Sequence, residues 1–171
     1  MKTLFLLRHA KSSWDDADNL ADFDRPLNTR GLDAVPLVGE KIFDNQFQID
    51  LIISSPAKRA KQTAILIKET AQIKSDVRYD DKIYEASPRR LLEVIAGTTD
   101  EGTNSVMLVG HNPGLEGLIK ALTRETQAMK TAALAVIDLK IEHWSEIGHD
   151  CGHIRKIFNP KSEREALEES W

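Results

Sequence analysis

The chain of 171 residues holds a single cysteine, Cys151, so it forms no internal disulfide and fits a reducing compartment. Positive charge is in deficit: 23 Lys and Arg stand against 27 Asp and Glu, a formal net charge of -4 scattered along the chain. That balance supplies no basic stripe for nucleic acid or an anionic membrane surface. No apolar run approaches the roughly 20 residues that cross a bilayer, and Met1-Lys2 lead straight into a strand-like segment without a signal-peptide pattern. A cytoplasmic location is the expectation. Repeats and low-complexity blocks are lacking as well. An apolar content of 41% suits one compact domain over residues 1–171, with 143–171 as a charged peripheral tail that ends in "SEREALEESW", a surface helix or frayed end.

What is present alternates between two patterns. Residues 3–7, "TLFLL", read as a strand buried on both faces, and "DLIISS" (50–55) and "SVMLVG" (105–110) repeat that reading. Between them lie helical spacings. Leu32, Val35, Leu37, Val38, Ile42 and Phe43 suit a helix behind a cap at Asn28 or Thr29, with Pro36 expected to bend the helix or shift its start. "PAKRAKQTAILIKETAQ" (56–72) places a proline in a first helical turn, "RRLLEVIAG" (89–97) is a short helix ending at Gly97, and a further helix covers 115–123 before a β-rich 132–141. Strands alternating with helices predict an α/β three-layer sandwich with a mostly parallel central sheet flanked by helices.

Three strand ends share one property: cationic or histidine side chains follow at once. They are Arg8-His9 in "LLRHAKS", Arg59 in "SSPAKRAKQT" and His111 in "GHNPG". The carboxyl ends of neighbouring strands form the ligand crevice of an open α/β sheet, so all three converge there. Each residue alone is ordinarily structural or solvated. Two arginines and two histidines placed alike need a counter-charge, and no cluster of acidic metal ligands accompanies them. An anion brought by a ligand meets that need. A phosphoryl group suits the planar guanidinium, and histidine is a competent nucleophile for it. His9 must then be neutral at its reactive nitrogen, with its other ring nitrogen donating to a backbone carbonyl, while His111 works better protonated. A bell-shaped pH profile follows.

These motifs resemble the histidine phosphatase (phosphoglycerate mutase-like) superfamily, and "RPLNTRG" (25–31) adds similarity to its short SixA-like phosphohistidine phosphatase branch. The resemblance runs from residue 4 to 114. It implies a phosphoglycerate mutase-like fold and a hydrolase in which His9 becomes transiently phosphorylated. Arg8 and Arg59 bind the phosphoryl oxygens, His111 donates a hydrogen bond to them, and no metal or cofactor takes part. In many esterases of the superfamily an acid protonates the leaving oxygen, and Glu85 in "KIYEAS" lies in the corresponding stretch; its alternative reading is a cap for the helix near Pro88. Short connections around Glu85 leave little room for a lid, which favours a phosphohistidine on a protein over a small phosphate ester. A non-catalytic phosphate-binding module is the reading from another class.

Smaller signals complete the inventory. Lys11, Ser12 and Ser13 follow the nucleophile and meet phosphate or solvent; Ser12 and Asn112 join Arg8, Arg59 and His111 as candidate substrate-binding residues. Ser55 and Asn112 stand where they orient their neighbours. Asp22, Asp24 and Arg25 form an ion-paired turn in support of the Arg8-His9 loop. His149, Cys151 and His153 alternate as on one strand face, a weak zinc pattern without a fourth ligand. Cys151 lacks the "CxxxxxR" arrangement of a cysteine phosphatase.

Overall fold

The computed structural model describes residues 1–16 and 18–160. Strand β1 (Lys2–Arg8) is followed by α1 (Thr29–Asp44), β2 (Leu51–Ser54), α2 (Lys58–Thr70), β3 (Val77–Tyr79) and α3 (Pro88–Ala96). Then come β4 (Ser105–Gly110), α4 (Gly114–Thr123), β5 (Leu134–Leu139) and β6 (Gly152–Phe158). The six strands form one sheet in the order β3-β2-β4-β1-β5-β6. The first four run parallel, while β5 is antiparallel to β1 and β6 to β5. The expected three-layer α/β arrangement is present, and the sheet is mixed at one edge.

The apolar runs are continuous because both sheet faces are covered. Along β1, Leu4 and Leu6 enter one core with α3, α4 and Trp144, whereas Phe5 and Leu7 enter the other with α1 and α2. Helix α1 starts at Thr29 behind Asn28, whose side chain accepts from the Gly31 amide at 2.9 Å. Pro36 neither ends it nor shifts its start: the helix runs through to Asp44. Pro56 lies just ahead of α2, whose N-cap is Ala57, rather than in its first turn. No helix among the described residues is long and apolar enough to cross a membrane.

Two strands were not foreseen. β3 is a three-residue edge strand with little burial, too short for a period to be read. β6 lies inside the stretch read as a peripheral tail, and that reading is corrected here. Residues 144–158 are built into the body of the protein: the Trp144 side chain is fully buried in the core, and β6 closes the sheet. Its alternation is broken because Val136 pairs with Lys156 but Ile137 with Ile154, leaving Arg155 as an extra residue in a bulge. The closing stretch 161–171, expected as a surface helix or frayed end, lies outside the described residues.

Candidate active site

Register brings the three motifs together. Arg8 pairs with Gly110 across β1 and β4, and Ser54 pairs with Val109 across β2 and β4. Backbone bonds carry the alignment one residue further, from the His9 amide to the Gly110 carbonyl and from the Ser55 amide to the Val109 carbonyl, both 3.0 Å. Arg8-His9, Ser55 and Gly110-His111 therefore sit side by side at the carboxyl edge of adjacent strands. α2 contributes Arg59 and braces the loop after β1: the Ala10 amide donates to Thr63 Oγ1 at 3.0 Å, and that hydroxyl donates to the Arg59 carbonyl at 2.7 Å.

The His9 ring is buried and donates from Nδ1 to the Ala10 carbonyl at 2.7 Å. A carbonyl only accepts, so this bond fixes the tautomer with the lone pair on Nε2. Burial, reinforced by His111, Arg59 and Arg8 and opposed by the Ala10 bond, pushes its pKa down to about 3. The His111 ring lies 5.1 Å away between centroids and meets Ser55 Oγ through Nε2 at 2.7 Å. Its pKa is pushed down to about 4, by burial first and then by Arg59 and Arg8, with Asp22 opposing. Both rings are thus neutral at neutral pH in the free protein.

The arginines are held from behind. Arg8 donates from a terminal nitrogen to the Met129 carbonyl at 3.0 Å, beside Glu116. The same carbonyl accepts from Asn112 Nδ2 at 2.8 Å, while Glu116 Oε1 accepts from Asn112 Nδ2 and from the Met129 amide. Arg59 donates to the Asp22 backbone oxygen at 2.7 Å and to its Oδ2 at 3.0 Å. Three buried nitrogens in this cluster have no hydrogen-bond partner among the described residues: Arg8 Nε, Arg59 Nε and His111 Nδ1. Unpaired buried polar atoms are costly, and their gathering around two histidines fits a ligand rich in acceptor oxygens.

Asp22 joins the elements. Its Oδ1 accepts from Arg25 Nε and a terminal nitrogen of Arg25, and its Oδ2 from Arg59 and from the Tyr84 hydroxyl at 2.6 Å. The Tyr84 bond, then Arg59 and Arg25, hold the carboxyl down at about 2 against partial burial. Burial and the Asp22 bond push the Tyr84 phenol up to about 12. Arg25 also reaches Ser12 Oγ at 2.9 Å and the Ser13 carbonyl at 3.2 Å, so the expected ion-paired turn does brace the loop after His9. Asp24 shows no side-chain bond within it.

The remaining sequence candidates are distributed as follows. Ser12 is buried with its hydroxyl engaged by Arg25, and Asn112 is engaged by Met129 and Glu116; both side chains hold loops in the free protein. Glu85 is exposed in left-handed backbone, φ 56°, directly after Tyr84. The helix cap is not Glu85 but Ser87, which accepts from the Arg90 amide. His149, Cys151 and His153 do not gather: β6 begins only at Gly152, His153 faces Asp138 at 3.5 Å, and no group of three potential metal ligands exists among the described residues. Sequence reasoning missed Tyr84, Glu116 and Thr63. Only Tyr84 had a signal, its place beside Glu85.

A doubly covered sheet carrying two histidines and two arginines at its carboxyl edge defines a phosphoryl-handling α/β enzyme. The family model of the histidine phosphatase superfamily (branch 1) matches residues 4–88. An uncharacterised protein of Mycobacterium tuberculosis is 31% identical over 91% of this chain and all of its own length. A SixA crystal structure from Agrobacterium tumefaciens superposes with a TM-score of 0.79 at 31% identity, covering 93% of this chain and 98% of that one. The phosphohistidine phosphatase SixA of Escherichia coli is 27% identical over 80% of this chain and 84% of its own. The chain belongs to the histidine phosphatase superfamily, and it is a phosphatase with the phosphoglycerate mutase-like fold of SixA proteins.

Proposed function

We propose that this phosphatase removes phosphoryl groups from phosphohistidine on a protein, through a covalent intermediate on His9 and without a metal. The observation that carries the reading is the Nδ1 bond of His9 to the Ala10 carbonyl at 2.7 Å, which leaves Nε2 unprotonated within a cluster of two arginines and a second histidine. In the first step the Nε2 lone pair forms the new N–P bond as the substrate's P–N bond breaks. The released electron pair stays on the substrate imidazole, which leaves neutral when its other nitrogen already carries a proton. Water then forms a P–O bond, the P–Nε2 bond breaks with its electron pair returning to Nε2, and both water protons leave on the phosphate, which gives one up to solvent at neutral pH.

Arg8 and Arg59 match the charge spread over the phosphoryl oxygens, and His111 donates once the bound dianion has raised its pKa. An imidazole leaving group needs little help from an enzymic acid, whereas an alkoxide needs a proton. A phosphomonoesterase is the second reading, favoured by the place of Glu85 beside Tyr84, whose ring edge meets His111 at 5.6 Å. Hydrolysis of a phosphohistidine peptide and an aryl phosphate, each with EDTA, by wild type and Glu85→Gln separates them. Peptide turnover that survives EDTA and the substitution, with weak aryl phosphate turnover, supports phosphohistidine. Strong ester hydrolysis that collapses in Glu85→Gln moves the function to phosphomonoesters.

A further inference from the structure

The loop after the nucleophile carries groups that the chemistry above does not use. Trp14 is 69% exposed and lies flat over the Arg25 guanidinium, 3.5 Å from the ring centroid. Phe23 is 37% exposed and packs edge-on against Tyr84 at 5.2 Å, and Tyr84 in turn reaches His111. The two aromatics thus connect to the histidine–arginine cluster through one intervening side chain or two: Trp14 through Arg25 and Asp22, Phe23 through Tyr84. An exposed tryptophan and phenylalanine beside a polar site are poor solvent-facing residues and good interface anchors.

Charge on this loop is lopsided. Residues 11–25 hold five aspartates, at 15, 16, 18, 22 and 24, against Lys11 and Arg25. Asp22 is consumed by Arg25 and Arg59. Asp15, Asp16, Asp18 and Asp24 are exposed and form no ion pair among the described residues, and Glu85 adds an exposed carboxylate on the Tyr84 side. A small dianionic ester with further acidic groups meets repulsion at this rim. A phosphoryl group flanked by lysine or arginine meets attraction.

Resting on the phosphohistidine reading, we propose that residues 14–16 and 18–24 form a docking ridge for the substrate protein, with Trp14 and Phe23 as apolar anchors and the four free aspartates selecting a basic segment around the phosphohistidine. The ridge acts on association with the protein substrate and leaves the bond-breaking step alone.

The test uses three substrates with the full chain: phosphoimidazole, a phosphohistidine peptide flanked by lysines, and the same peptide flanked by glutamates. Wild type is expected to favour the lysine peptide by about tenfold in kcat/KM at low salt, with the preference shrinking at high ionic strength. Asp15→Asn/Asp16→Asn/Asp18→Asn/Asp24→Asn removes that preference and leaves phosphoimidazole turnover within about twofold. Trp14→Ala raises KM for the lysine peptide more than for phosphoimidazole. Equal turnover of the two peptides by wild type, or a preference that persists in the quadruple variant, overturns the docking ridge alone. Failure of all three substrates beside rapid aryl phosphate hydrolysis overturns the phosphohistidine reading itself.

Discussion

Asp22 and Arg59 meet twice, through the Asp22 backbone oxygen at 2.7 Å and its Oδ2 at 3.0 Å, so one residue of the loop after β1 fixes the guanidinium of α2. The Arg59 side chain is buried, while that of Asp22 is 49% exposed. The carboxylate works as a clamp at the pocket mouth, shared with Arg25 and Tyr84.

Asp22→Asn keeps the shape and loses the charge. Arg59 and Arg25 are then held less firmly, and kcat/KM is expected to drop about tenfold, mostly in KM, since a hydrogen bond to a charged group contributes about 1.5–3 kcal/mol. The carboxyl's folded pKa of about 2 lies below its ordinary 3.8. Its stabilising effect is therefore complete above about pH 4 and lost as pH falls through about 2. Solvent exposure keeps that effect below about 1 kcal/mol. Urea unfolding of wild type and variant at neutral and acid pH checks both.

Tyr84→Phe removes only the hydroxyl that donates to Asp22 and keeps the ring between Phe23 and His111. A loss of about tenfold in kcat/KM is expected, the lower end of the about 1.5–3 kcal/mol of a hydrogen bond to a charged group because the carboxylate is half exposed. A fall as large as that of His9→Ala would give Tyr84 a part in bond breaking. Steady-state kinetics decides.

His9 and His111 are kept neutral in the free protein, with pKa values of about 3 and about 4 against an ordinary 6.5. The unfolded chain takes up their protons first as pH falls below about 6.5, so each costs stability at up to about 1.4 kcal/mol per pH unit until its folded pKa is reached. His9→Gln should therefore lose less stability than wild type between pH 6.5 and 4.5, measured by urea unfolding. A dianion in the pocket has the opposite pull. Binding of sulfate at pH 7, a dianion that carries no proton of its own, should bring proton uptake, visible as a buffer-dependent calorimetric heat and absent in His111→Gln.

Gly31 lies where α1 meets the nucleophile loop, and a Cβ there would sit 2.2 Å from the Lys11 carbonyl oxygen. Neither backbone can yield cheaply. Gly31→Ala is expected to destabilise by about 1–3 kcal/mol, as overpacking does, and to lower kcat by displacing the Arg8-His9 loop. Thermal unfolding and kinetics on the same sample check both.

Much of this was legible because the apolar runs of β1, β2 and β4 have a single reading: strands buried on both faces. Their polar successors then had to share the sheet's carboxyl edge, and Arg8, His9, Arg59 and His111 are there. What escaped depends on contacts distant in sequence. Tyr84 matters through Asp22, 62 residues earlier; Glu116 matters through the Met129 amide. β6 hid its period behind the Arg155 bulge, and β3 is too short to show one.

The central claim is a phosphoryl group on His9, and rapid quenching tests it most directly. A phosphohistidine peptide labelled in its phosphoryl group is mixed with the protein, quenched in alkali and the digest mapped. The account predicts an alkali-stable, acid-labile label on the peptide containing His9, bound at Nε2 and absent in His9→Gln. Turnover at the full rate by His9→Gln, or a label that maps elsewhere, would contradict it.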